Sequence, residues 1–183
     1  MIGDTNTTAQ AFQDEWNRLP YGCHPIGPLL RADHSIPWVR FHSLPSSKRY
    51  PENDAERAII LNRAYQLGDT LLGRANCWII STSADDREPT WAFGGSLEYD
   101  VGTVDEFIVP YFVRKADWKA GAFDQLLNAI AEDDASYVWV SREDGSIFAP
   151  YDGGFDIFAV SPERIAALRS RWPEWLSNEP SGL

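Results

Sequence analysis

The chain has 183 residues, and 27 Asp plus Glu against 16 Lys plus Arg give a formal net charge of −11. Such an acidic balance argues against nucleic-acid binding, because neutralising phosphates needs a surplus of basic side chains. Hydrophobic residues make up 44%, and 8 Trp, 7 Tyr and 9 Phe supply enough apolar material for one packed core, which excludes a disordered chain and fits a single domain.

Residues 5–19 read as a first helix, with Ala9, Phe12, Trp16 and Leu19 at helical spacing and Pro20 and Gly22 ending the run. Residues 20–36 contain Pro20, Gly22, Pro25, Gly27 and Pro28 and read as an irregular connector, whose Ile26, Leu29 and Leu30 can still pack. Residues 37–44 form the first strand, bounded by Pro37 and Pro45. After a loop over 45–50, the longest helix runs over about 51–72. Pro51 suits its first position, Glu52, Asp54 and Glu56 favour the positive end of its dipole, and Gly73 suits the stop. Its apolar stripe of Ile60, Ala64, Leu67 and Leu71 faces the core. Gly68 weakens this helix by roughly 1 kcal/mol relative to Ala and so marks a close crossing.

The second half reads mainly as sheet. Residues 77–83, 91–97 and 106–113 are strands, although Gly94, Gly95 and Pro110 weaken the last two. A helix over 116–131 buries Phe123, Leu126, Leu127 and Ile130. Three short strands follow at 137–142, 147–151 and 155–160, joined by the hairpin sequences Glu143-Asp144-Gly145-Ser146 and Asp152-Gly153-Gly154. A final helix over about 162–176 is capped by Ser161 and bent or ended by Pro173. This order predicts one α+β domain over 1–183, with about four helices, a largely antiparallel sheet and a C-terminal β-meander. Within it, 1–36 is a helical extension and irregular connector, and 37–183 is the core. The glycine pairs lack both the Walker lysine and the three-glycine dinucleotide fingerprint, so no cofactor is expected.

In Trp38-Val39-Arg40-Phe41-His42-Ser43, strand alternation places Trp38, Arg40 and His42 on one face and Val39, Phe41 and Ser43 on the other. His42 and Ser43 therefore cannot pair as base and nucleophile. Arg40 and His42 present two donors side by side, a geometry that suits a carboxylate or phosphate, and Lys48 and Arg49 follow closely. Arg40, Lys48 and Arg49 are thus anion-binding candidates. The competing reading is structural, with Arg40 paired to an internal Asp. Asp156 shares a strand face with Phe158 and Val160 and needs a partner once buried; Arg40 is expected to be that partner. Asp152 and its two glycines are explained as turn chemistry.

The strings Trp38-Val39-Arg40-Phe41-His42-Ser43-Leu44-Pro45, Ser47-Lys48-Arg49-Tyr50-Pro51-Glu52 and Pro150-Tyr151-Asp152-Gly153-Gly154-Phe155-Asp156, with the tail from Trp175-Leu176-Ser177 to Gly182-Leu183, resemble a family of uncharacterised bacterial proteins. The resemblance implies a standalone bacterial domain and brings no catalytic residues with it.

Residues 1–6 hold no basic segment followed by an apolar one, and no run approaches the roughly 18 apolar residues of a span, so neither a secretory signal nor membrane association is expected. Cys23 and Cys77 lie too far apart for a zinc ribbon or a disulfide framework, and a cytoplasmic protein with reduced thiols is expected. Cys23, His24, His34 and His42 match no zinc spacing, so no metal is expected. Glu98 and Asp100, with Asp105 and Glu106, flank a Gly102-Thr103 turn; a glycosidase pair is one reading and a solvated loop the simpler one.

Residues 35–75 carry 6 basic and 4 acidic groups, whereas residues 76–183 carry 8 and 19, so the acidic excess belongs to the sheet-rich half. That favours a non-catalytic binding protein, most concretely an immunity or antitoxin-like protein that neutralises a basic toxin. Trp and Tyr would supply its hot spots, and Glu98, Asp100, Asp105 and Glu106 its partner contacts. The alternative is an enzyme acting on a small anionic substrate, with Arg40, Lys48 and Arg49 as clamps, His42 as acid/base and Asp156 as its orienting group. A third reading is a structural domain whose motifs serve folding alone.

Overall fold

Strand β2 (Asn76–Ser81) explains why helices are needed on both faces of the sheet. Its Cys77 and Ile79 enter one apolar cluster, its Trp78 and Ile80 another, and all four are buried. A strand that is apolar on both sides must be covered on both sides. The computed structural model describes residues 5–73, 76–82, 91–99 and 107–177.

The other strands are β1 (Trp38–His42), β3 (Ala92–Tyr99), β4 (Phe107–Asp117), β5 (Tyr137–Ser141), β6 (Ile147–Tyr151) and β7 (Gly154–Phe158). They form one sheet in the order β1-β7-β6-β5-β2-β4-β3, with every neighbouring pair antiparallel. The expected C-terminal meander is β5-β6-β7, and β1 closes its outer side. Helices α1 (Thr5–Trp16) and α2 (Gly27–Ala32) cover one face, where Phe12, Trp16 and Leu30 meet Trp78, Val140 and Phe158. Helices α3 (Asp54–Leu71), α4 (Asp124–Ala131) and α5 (Pro162–Arg171) contribute Ile60, Leu67, Leu127, Ile130 and Leu168 to the opposite face, around Ile79, Trp139, Phe148 and Ile157. The fold is α+β, as the order of elements predicts.

Local chemistry accounts for the boundaries. Asn53 caps α3 by accepting from the Glu56 backbone N–H at 3.0 Å, and Ser161 caps α5 by accepting from Arg164 N–H at 3.2 Å. Gly68 lies against the indole of Trp118, where a Cβ would overlap the ring; the weak helix former does mark a close crossing. Gly94 and Gly95 let the Tyr111 ring lie against β3, since a Cβ at either would come within 2.6–2.7 Å of that side chain. The ladder slips between Phe93 and Gly95 at the same place.

Three expectations need correcting. The helix over 116–131 shrinks to Asp124–Ala131, because β4 continues to Asp117 and pairs Lys115, Ala116 and Asp117 with Trp78, Cys77 and Asn76. Gly121, at φ 81°, then turns the chain. The connector is not wholly irregular: Pro28, preset for a first helical turn, starts α2. The final helix stops at Arg171, and Pro173–Trp175 forms a separate 3-10 turn that leads Leu176 onto the outer edge of β1 beside Phe41.

Candidate functional site

Strand pairing builds the centre of the site. Arg40 on β1 stands directly opposite Asp156 on β7, so the predicted pair is a cross-strand contact. Arg40 Nε donates to Asp156 Oδ1 at 2.8 Å and its Nη2 to Oδ2 at 3.1 Å. A second guanidinium, Arg31 on α2, donates through Nη1 to the same Oδ2 at 2.9 Å. Asp156 and Arg40 side chains are 3% and 7% exposed, whereas Arg31 is 30% exposed. Bidentate geometry and a shared carboxylate make this a strong charge-assisted cluster. The Arg40 guanidinium also packs over Tyr151, 4.6 Å from the ring centroid, and over Trp38 at 5.6 Å. Burial pushes the Tyr151 hydroxyl up to about 12.

The cluster floors a cleft of about 520 Å³ at the end of the sheet where β6 turns into β7. One wall is Gly27 and Pro28 of α2, the helix that brings Arg31 to the floor; another is His42 and Ser47; the turn after α4 brings Asp133 and Ser136 to the mouth. His42 Nε2 lies 3.1 Å from Ser47 Oγ. Burial, helped by Arg40 and Arg63, lowers the imidazole below its ordinary value. The Arg63 guanidinium donates to the His42 carbonyl at 2.7 Å and rests on the Trp175 ring. Ser46 and Ser47 take φ of 57° and 56°, a left-handed conformation that costs a non-glycine residue about 1–2 kcal/mol. That turn directs the Ser47 hydroxyl back to His42.

The proposed site residues divide. Arg40, His42, Arg49 and Asp156 line the cleft; Lys48 does not. Its ammonium bonds both Glu56 oxygens at 2.7 and 2.8 Å and Glu52 at 3.0 Å, tying the loop to the start of α3. Arg49 pairs with the buried Asp152 at the cleft mouth. His42 is not oriented by Asp156, which gives its oxygens to arginines. Glu98 lies on β3, the outer strand; Asp100, Asp105 and Glu106 fall outside the described residues. The tryptophans are not surface hot spots: all but Trp38 are buried, and among the described residues the exposed large hydrophobics are Tyr50, Phe93 and Val160.

Sequence reasoning missed Arg31 and Ser47. A signal for the first existed in Pro28 at a helix start three residues earlier; nothing in the sequence announces left-handed serines. Among the described residues, no group of His, Cys, Asp and Glu could hold a metal, and no helix is long and apolar enough to cross a membrane. Cys23 and Cys77 are free thiols, and burial pushes Cys77 up to about 12.

These features define an antiparallel α+β domain with a polar cleft at one end of its sheet, floored by two arginines on one aspartate. The chain belongs to the family described as a domain of unknown function, DUF3885, whose model matches residues 26–180. That span holds every cleft residue from Gly27 to Asp156 and omits α1. No curated protein and no solved structure matches the chain.

Proposed function

We propose that the protein is a non-catalytic binding protein that captures a basic protein partner, in the manner of an immunity protein or antitoxin. The observation that carries this reading is how the charges are distributed. Arg31, Arg40, Lys48, Arg49, Arg57, Arg142 and Arg164 are all engaged in internal ion pairs. Among the described residues, the exposed Asp14, Asp69, Asp117, Asp133, Asp134, Glu143, Glu163 and Glu174 stand outside those pairs against the exposed Arg18, Lys115, Lys119, Arg169 and Arg171, a modest acidic surplus at the surface that favours a basic partner. The outer strand β3 adds an apolar contact, with Phe93 57% exposed. The test is affinity capture from the native host, repeated with a variant carrying Phe93→Ala and Glu98→Lys. A basic protein retained stoichiometrically by the wild type, lost with the variant and with raised salt, and binding again from purified components, is expected. Absence of any stoichiometric partner refutes the reading.

A second reading, an enzyme acting on a small anionic substrate, draws support from the Ser47–His42 contact. A neutral imidazole 3.1 Å from a serine hydroxyl is placed to take its proton as the oxygen attacks an acyl or phosphoryl centre. In that reading Asp156 holds Arg40 and Arg31, not His42. Labelling of Ser47 by a fluorophosphonate, abolished by His42→Ala, is the expected result; an unlabelled wild type removes the reading.

A further inference from the structure

We propose that the floor of the cleft binds the phosphate group of a small hydroxyl-bearing molecule, such as a phosphorylated sugar, through Arg31 and Arg40. The argument begins with charge. Two guanidiniums share one carboxylate: Asp156 balances the buried Arg40 in a bidentate pair, so the cluster keeps one net positive charge, carried by Arg31, which lines the cleft and is 30% exposed. That surplus is only partly solvated, and an anion entering the cleft supplies the counter-ion that the shared Asp156 does not.

Donors are available for that anion. Arg40 uses Nε and one Nη2 hydrogen on Asp156, and Arg31 uses Nη1, leaving further N–H groups on both forks. They approach from different elements, Arg31 from α2 and Arg40 from β1, with the Ser47 hydroxyl on a third side. Donors converging from separate elements suit a tetrahedral phosphate better than a planar carboxylate. The left-handed serine turn sets Ser47 on that wall at a conformational cost, as expected where a side chain must be held in place.

The mouth specifies the rest of the ligand. The three lining arginines, Arg31, Arg40 and Arg49, are matched in number by Asp133, Asp152 and Asp156, but the charges are segregated. The floor is net positive. At the mouth Arg49 offsets only Asp152, and Asp133 leaves the rim net negative. A ligand with an anionic head and hydroxyl donors on its body meets both ends, and the cleft of about 520 Å³ falls within the ordinary range for small-molecule sites.

The test is calorimetry in a phosphate-free buffer with inorganic phosphate, glucose 6-phosphate, glucose and malonate. Saturable phosphate binding, at least tenfold tighter binding of the sugar phosphate, and no binding of glucose are expected. Arg31→Ala should weaken phosphate at least tenfold, and Lys48→Ala, which lies outside the cleft, should leave it unchanged. Should Arg31→Ala fail to fold, the wild type gives the answer: phosphate should shift the Arg31 and Arg40 side-chain Nε–H resonances. Unmoved resonances, equal affinity in Arg31→Ala, or tighter binding of malonate than of phosphate overturns the proposal. None of these readouts involves the protein partner, so either idea can fail alone.

Discussion

Replacing Asp156 by Asn should destabilise the protein by about 3–5 kcal/mol, the range for removing one partner of a buried ion pair. The structure supports the upper part of that range. The Asp156 side chain is 3% exposed and accepts three charge-assisted hydrogen bonds. An amide keeps one acceptor oxygen but turns an NH2 donor toward guanidinium donors, leaving Arg40 charged, 7% exposed and without a carboxylate. Arg31→Ala is milder, at about 1–2 kcal/mol, because Arg31 is partly solvated and its loss leaves a balanced Arg40–Asp156 pair. Removing both Arg40 and Asp156 in favour of Leu should cost much less than the sum of the single changes.

The assay is urea unfolding followed by tryptophan fluorescence, in phosphate-free buffer so that no bound anion contributes to stability. The ranking matters more than any single value. If Asp156→Asn falls within about 1 kcal/mol of wild type at unchanged m, or if the double replacement is additive, the cluster is not the desolvated, coupled unit described here.

Three further outcomes follow from the packing and the titrating groups. Gly68→Ala should gain about 1 kcal/mol in helix propensity but lose about 1–3 kcal/mol through overlap with Trp118, so net destabilisation with altered near-UV dichroism is expected and a raised Tm would contradict the contact. Tyr151 ionises near 10 when unfolded and is pushed up to about 12 in the fold by burial. Its contribution to stability is therefore complete below pH 10 and is lost as pH rises toward 12, and Tyr151→Phe should flatten the fall in urea midpoint across that window. His42 behaves in the opposite sense: its folded value lies below 6.5, so stability present above pH 6.5 declines as acid protonates the unfolded chain first, and His42→Gln should lessen that decline.

Much of the fold could be read from the sequence because its signals are local. Hairpin glycines at 145 and 153–154 join strands of clear apolar content and Ser161 marks a helix start, whereas Pro51 suggests a start for α3 that lies instead at Asp54, behind the Asn53 cap. The misread stretch at 116–123 fails for a physical reason. Phe123, Leu126, Leu127 and Ile130 define the helical stripe but not where it begins, and pairing of 115–117 with β2 and burial of Trp118 under α3 take the residues before it into strand and turn. Trp and Tyr content suggested surface hot spots for the same reason: composition shows how much aromatic area exists, not which side of the sheet buries it.

The site shows the same division between local and long-range information. Arg40, His42 and Trp38 fall on one face by alternation alone, and Asp156 on its own strand by the same rule. What joins them is the return of β1 to the outside of the meander, a pairing across 116 residues that no local pattern encodes. Arg31 comes from a six-residue helix inside a proline-rich connector, and its arrival changes the chemistry. With Arg40 alone, Asp156 would make a neutral structural pair and the cleft floor would carry no charge. With Arg31 added, the floor becomes cationic, and a buried structural pair becomes the base of a site able to attract an anion.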